Sequence, residues 1–202
     1  AIEGNTLTLA ETKVALEGIT IGGKTLQEHL EVINHREAIL YVEEIVQKNE
    51  PLSEWQIKSI HRLILKGILD DYAGTYRREN VLISGAKHIP PDALQVPLHM
   101  GQLINWYENE GSHLHPIARA ALIHSDFVKI HPFIDGNGRT ARLLLNFELM
   151  KSGYPPIVIE KETRAEYYAT LDEAHTTRDN EKFIRLVSNI VDQTFDLYLR
   201  LI

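Results

Sequence analysis

Residues 131–142 read HPFIDGNGRTAR and gather, in one short stretch, the side chains that phosphoryl or nucleotidyl transfer needs. His131 offers an imidazole that can act as a base near neutral pH. Asp135 offers a hard oxygen of the kind Mg²⁺ takes when its other ligands are substrate phosphates. Gly136-Asn137-Gly138 permits backbone dihedrals that turn successive amides inward as an anion-binding nest. That nest leads into a helix whose free N–H groups and dipole favour phosphate. Arg139 and Arg142, three apart on that helix, add two permanent charges with forked donors. Taken singly each piece is ordinary: a His before Pro caps or packs, Gly-Asn-Gly is a turn, and helix arginines are solvated. Their joint occurrence at this spacing is the parts list for transfer chemistry on a nucleotide or phosphate.

Such a loop must be held rigidly, and its flanks supply the means. Ala120, Leu122, Ile123, Phe127 and Val128 precede it at helical spacing; Leu143, Leu144, Leu145, Phe147 and Leu149 follow it. The rest of the chain also reads as helices. Thr8-Leu9-Ala10-Glu11 and Thr25-Leu26-Gln27-Glu28 have the form of capping boxes, opening a short helix that stops near Gly18 and a longer one reaching about Gln47. Ser53-Glu54-Trp55-Gln56 repeats the pattern before a helix expected to bury Ile57, Ile60, Leu63 or Ile64, and Ile68. Further helices are expected over 93–109, 116–129, 139–151 and 162–174. A last one carries the stripe Phe183, Leu186, Val187, Ile190, Val191, Thr194, Leu197, Tyr198 and Leu201. The fold class is all-α.

Two stretches break the pattern. Pro155-Pro156-Ile157-Val158-Ile159 reads as an extended connection between helices. Residues 77–91 hold Val81-Leu82-Ile83, then Ser84-Gly85, then a second short piece ending in Pro90-Pro91, which is the signal of a small β-hairpin. An isolated two-stranded ribbon is marginally stable. The stretch is therefore either a surface loop or an exposed edge that pairs with an extended peptide.

Composition narrows the function classes. The 202 residues suit one domain, and 44% hydrophobic against 24% charged residues allow a buried core. Lys and Arg total 21 against 28 Asp and Glu, a net charge of −7. This argues against a general nucleic-acid binder, which needs a basic face. The absence of Cys removes disulfides, thiol catalysis and Cys-ligated zinc. No apolar run approaches the roughly 18–20 residues that span a bilayer, and no secretory signal is visible. The chain opens with Ala1 and not Met, which reads as a processed or truncated start. His113, His115, His124 and His131 raise the idea of a metal cluster, but no acidic partner has ligand spacing around them.

The stretch 131–142 matches the Fic-family signature HPFx(D/E)GNGRxxR at every fixed position, and the chain resembles that family along nearly its whole length. AGTYR at 73–77, HIPP at 88–91, LHP at 114–116, GYPP at 153–156 and EYY at 166–168 carry the resemblance further. It is most similar to the Fic core of the animal endoplasmic-reticulum AMP-transferases and their bacterial relatives. The resemblance implies a single Fic domain over 1–202 that moves AMP from ATP, with Mg²⁺ or Mn²⁺, onto a Ser, Thr or Tyr hydroxyl of a target protein. His131 would take the hydroxyl proton, and Asp135 would hold the metal. The amides of Gly136, Asn137 and Gly138 would cradle the phosphates, with Arg139 near the β- and Arg142 near the γ-phosphate. Phe133 would anchor the loop in the core. Val81, Leu82, Ile83 and Ser84 would form the flap that holds the target by strand addition. Tyr167 and Tyr168 would line the nucleoside pocket, and His175 stands there in place of the Asn of close relatives.

The resemblance extends to the start of the chain. Ala1-Ile2-Glu3-Gly4-Asn5 is similar to the end of the family's inhibitory motif, (S/T)xxxE(G/N). It implies that Glu3, in an inhibitory region over 1–18, occupies the Arg142 guanidinium and places ATP unproductively. Two alternatives stand beside transfer: removal of AMP from a modified protein, and a module that binds ATP or peptide without turnover. A homodimer is compatible with the resemblance; a membrane or nucleic-acid partner is not indicated, and the cytoplasm is the compartment expected of a bacterial chain.

Overall fold

A computed structural model describes residues 5–200. Eight α-helices follow one another: α1 (Leu9–Leu16), α2 (Leu26–Gln47), α3 (Glu54–Leu65), α4 (Val96–Glu108), α5 (Pro116–Ile130), α6 (Asn137–Lys151), α7 (Arg164–Thr177) and α8 (Glu181–Leu199). Short 3₁₀ turns lie at Asp70–Tyr72, Ala93–Gln95 and Glu110–His113. Both expected capping boxes form. Thr8 accepts from Glu11 N–H and Thr25 from Glu28 N–H, while each Glu reaches back to the cap residue's own N–H. Each arrangement satisfies two of the four orphan donors at a helix start.

α5 and α6 pack against each other at the centre of the molecule, and each borders two cores. One core gathers α2, α3, α4 and the inner faces of α5 and α6, including Ile57, Ile60, Phe127, Phe133 and Phe147. The other gathers α7 and α8 against the opposite faces, including Leu145, Leu149, Phe183 and Val187. The four phenylalanines Phe127, Phe133, Phe147 and Phe183 are fully buried; truncating a phenylalanine so placed costs about 3–5 kcal/mol. Farther along α6, Glu148 is buried and receives hydrogen bonds from Tyr107 and Ser152, with Arg119 3.6 Å away. These contacts fix α6, and with it the loop at its start.

Four expectations are corrected. α3 ends at Leu65, where Lys66 and Gly67 (φ +70°) turn the chain, so Ile68 lies beyond the helix and is only half-buried. The stripe of α8 is buried only as far as Val191; Leu197 and Tyr198 are exposed. α6 begins at Asn137, two residues before the expected start, which puts Asn137 and Gly138 inside its first turn. Finally, residues 77–91 form no strand ladder, and no described residue lies in a strand. A single turn bond, Ala86 N–H to Ile83 C=O, marks the bend. The two arms are joined through side chains and not by a backbone ladder, and the second is also tied to α7. The Arg77 guanidinium donates to the carbonyls of Glu79 and Pro91, and Asp172 on α7 accepts from the N–H groups of Lys87 and His88. No described helix is long and apolar enough to cross a membrane.

Candidate active site

The loop between α5 and α6 is closed by its own side chains. α5 ends at His131, which adopts the left-handed conformation (φ 50°, ψ 59°), and α6 starts after Gly136, also left-handed at φ 76°. Between them Asn137 folds back: its Oδ1 accepts from Phe133 N–H at 3.0 Å and its Nδ2 donates to Phe133 C=O at 2.8 Å. Phe133 points into the core as expected, stacked on the His61 ring at 3.6 Å and 3°.

His61 is a residue that motif reasoning missed. Its Nδ1 accepts from Gly74 N–H (2.9 Å) and its Nε2 meets the Asp135 carbonyl (2.8 Å). The first partner can only donate and the second can only accept, so the ring is the neutral tautomer with the proton on Nε2. Burial supports this by pushing its pKa down to about 4. His61 thus holds the Asp135–Gly136 peptide in place. A Cβ at Gly136 would lie 3.2 Å from this ring, and φ 76° independently favours glycine there.

The loop opens on a cavity of about 560 Å³ lined by His131, Ile134 to Arg139 and Arg142, with Thr25, Gln27, Glu28 and Glu31 of the α2 start across from them. Among the described residues no side chain caps the start of α6, so its first-turn N–H groups remain available to an anion. Arg139 is 7% exposed. Its Nη2 donates to Asp135 Oδ2 at 3.1 Å, and its buried Nη1 has no partner among the described residues. An unpaired buried donor is costly, and an anion in the cavity is a ready partner for it. The Arg142 guanidinium passes over Gly138: a Cβ there would stand 3.4 Å from Nη1. Arg142 also lines a second, mainly apolar cavity of about 590 Å³ between α1, α2 and α6, together with Asn5.

Burial, more than the nearby charges of Arg77 and His88, lowers the His131 pKa to about 4. At neutral pH the ring is therefore uncharged and able to accept a proton. Its Nδ1 lies 3.4 Å from Val128 C=O, and Nε2 has no partner among the described residues. Asp135 is exposed, with Oδ1 accepting from Gly136 N–H (2.6 Å) and Oδ2 engaged by Arg139. Among the described residues no three His, Asp or Glu side chains gather into a metal cage. An accessible carboxylate beside a helix N-terminus and two arginines nevertheless suits Mg²⁺, which keeps water and substrate phosphates as ligands.

The other expected residues are spread out. Tyr167 is buried between α5, α7 and α8, its hydroxyl 3.0 Å from His124 Nε2. This is a core position, not a wall of the loop cavity. Tyr168 is 43% exposed and lies beneath the Arg164 guanidinium. His175 is buried, with Nε2 on the Ser125 carbonyl (3.0 Å) and its ring edge-on to His88. On the flap, Val81 and Ile83 are half-buried while Leu82 and Ser84 are exposed. Glu3 lies outside the described residues.

With this geometry in view, comparison with known proteins is informative. The sequence profile of the Fic/DOC family matches residues 51–149. The proteins called Protein adenylyltransferase Fic of Drosophila grimshawi and Drosophila melanogaster are 41% and 40% identical over 98% of this chain. The chain spans about two fifths of the length of these curated relatives. Among solved structures, Fic-1 (residues 134–508) of C. elegans superposes with a TM-score of 0.90 at 35% identity, over 98% of this chain and 59% of that one. A Fic domain containing signaling protein of Bacteroides thetaiotaomicron superposes with a TM-score of 0.86 at 34% identity, over 96% of this chain and 80% of that one. The helical frame, the loop signature and these likenesses agree, and the chain belongs to the Fic/DOC family.

Proposed function

We propose that this domain transfers AMP from ATP to a hydroxyl of a target protein. The observation that carries the reading is one cavity that joins a neutral His131 to the start of α6 and to two arginines, where among the described residues no side chain caps the helix and one buried arginine donor has no partner. The relatives' name, adenylyltransferase, favours nucleotidyl over phosphoryl transfer.

The residues divide the work as follows. The target oxygen attacks the α-phosphorus as its proton passes to His131 Nε2, a new P–O bond forms, and the bond from the α-phosphorus to the bridging oxygen breaks. Pyrophosphate leaves with that electron pair. The first-turn amides of α6 and Arg139 and Arg142 stabilise the charge on the phosphates, the preorganised electrostatic assistance that dominates such transfers. Asp135 is the residue that would hold Mg²⁺ or Mn²⁺, whose charge offsets that of the phosphates. Residues 81–84 receive the target. Within this stretch, among the described residues, the Ile83 carbonyl alone has a backbone partner, from Ala86, which leaves the remaining edge for an added strand. In the reaction with Mg-ATP and a protein acceptor, mass spectrometry should find AMP esterified to a hydroxyl, and excess EDTA should abolish it. Undiminished transfer in EDTA would remove the metal from this account.

Glu3 is assigned an inhibitory role on the motif it completes. Asn5, two residues on, lines the apolar cavity that Arg142 also borders. An internal carboxylate on Arg142 competes with the γ-phosphate. A charge-assisted hydrogen bond is worth about 1.5–3 kcal/mol, so Glu3→Gly should raise transfer roughly 10- to 150-fold. Arg142→Ala should remain inactive with or without Glu3. Equal or lower transfer by Glu3→Gly would contradict internal inhibition.

A further inference from the structure

Arg77 stands outside the loop signature, yet it touches the loop and both arms of the flap. It is 3% exposed. Its Nε–H donates to the His131 carbonyl at 2.8 Å, Nη1 to the Glu79 carbonyl at 2.9 Å and Nη2 to the Pro91 carbonyl at 2.5 Å. Its own backbone N–H donates to the Pro132 carbonyl at 2.9 Å. Among the described residues no carboxylate lies within ion-pair distance of it. A buried permanent charge is costly, and here it is held by carbonyl dipoles from three segments.

The position of those carbonyls gives the arrangement its meaning. His131 is left-handed at φ 50°, ψ 59°, a conformation that β-carbon sterics oppose. The following Pro132 restricts it further, because a residue before proline is driven toward extended dihedrals. Strain of this kind persists only where the surroundings over-determine it. Arg77 supplies two hydrogen bonds to two consecutive carbonyls, those of His131 and Pro132. The His131 carbonyl is also the C-terminal end of α5, where a cation is electrostatically favoured. The other two bonds of the same guanidinium reach the flap.

We propose that Arg77 is a positioning residue that holds the strained turn at His131, so aiming its ring, and locks that turn to the flap that receives the target. This rests on the reading of His131 as the base. The planar fork of arginine is required, since it addresses three carbonyls at fixed angles. Lysine keeps the charge and loses the fork. A misplacement of about 1 Å in a reacting group can cost roughly 100-fold in rate.

The test is Arg77→Lys, assayed for kcat with saturating ATP and target, for ATP affinity by calorimetry, and for the His131 Cε1–H resonance by NMR. The expected result is a fall in kcat of roughly 100-fold, ATP affinity within about threefold of wild type, and a shifted His131 resonance. A folded variant with wild-type kcat and an unmoved resonance would overturn the proposal. So would equal losses of kcat and ATP affinity tracking a lowered thermal midpoint, since that is the signature of a merely structural role. Should wild type transfer no AMP, the reading of the reaction fails, and the His131 resonance still decides the role of Arg77. Should the variant not fold, solvent exchange of the Arg77 Nε–H in the wild-type chain decides. Strong protection is expected, and exchange as fast as that of an exposed guanidinium would refute the clamp.

Discussion

His131→Ala is expected to lower AMP transfer by ~10²–10⁴-fold, the usual contribution of a general base. ATP affinity should stay within about threefold. In the proposed reaction the phosphate contacts are assigned to the first turn of α6, Arg139 and Arg142, none of which relies on the imidazole. The loop should also keep its shape. The left-handed backbone at 131 is unfavourable for any residue with a β-carbon, somewhat more so for alanine than for histidine, but the hydrogen bonds that hold it come from Arg77 to main-chain carbonyls and survive the substitution. Single-turnover transfer and calorimetry on the same preparation separate these effects. A rate within threefold of wild type would remove His131 from the chemistry.

A second large effect is expected on stability in acid. Five histidines are held neutral by burial, with pKa values of about 4 for His35, His61, His131 and His175 and about 3 for His124. In the unfolded chain histidine titrates near 6.5. As pH falls from about 6.5 toward 4 the unfolded state binds protons that the folded state refuses, so the folded state loses stability. The contribution is fully present above 6.5. Each such histidine changes stability by up to about 1.4 kcal/mol per pH unit, and five together by up to about 7. Against a total of about 5–15 kcal/mol for a domain, the fold should fail within one or two pH units below 6. The lowered carboxylates Glu28 and Asp92 act in the same direction at lower pH. Urea titrations at pH 7.5, 6 and 5 would measure this, and a flat profile would show that the histidines are not buried as described.

Local chemistry made much of the frame readable. The two Thr-capped helix starts depend on residues three apart, and the helices flanking the loop depend on unbroken apolar periodicity. The same holds for the loop, whose groups lie within one stretch of chain. What escaped depends on distant partners. His61 acts on Asp135 from 74 residues away, and Arg77 on His131 from 54. The histidine was legible only as a polar interruption of the apolar face Ile57-Ile60-Ile64. The ribbon at 77–91 forms no ladder because side chains take up its backbone groups: Arg77, at its start, bonds the Glu79 and Pro91 carbonyls, and Asp172, on α7, accepts from Lys87 N–H. The earlier start of α6 follows from Gly136, whose left-handed backbone ends the loop and frees Asn137 to begin the helix.

The central claim is that the reaction breaks the bond beyond the α-phosphorus and leaves AMP on protein. Parallel incubations of one preparation with target protein and ATP labelled at either the α- or the γ-phosphorus test it most directly. The account predicts acid-stable protein label from α-labelled ATP, none from γ-labelled ATP, and neither with His131→Ala. Label from the γ position, or equal α-label in the His131 variant, would contradict it.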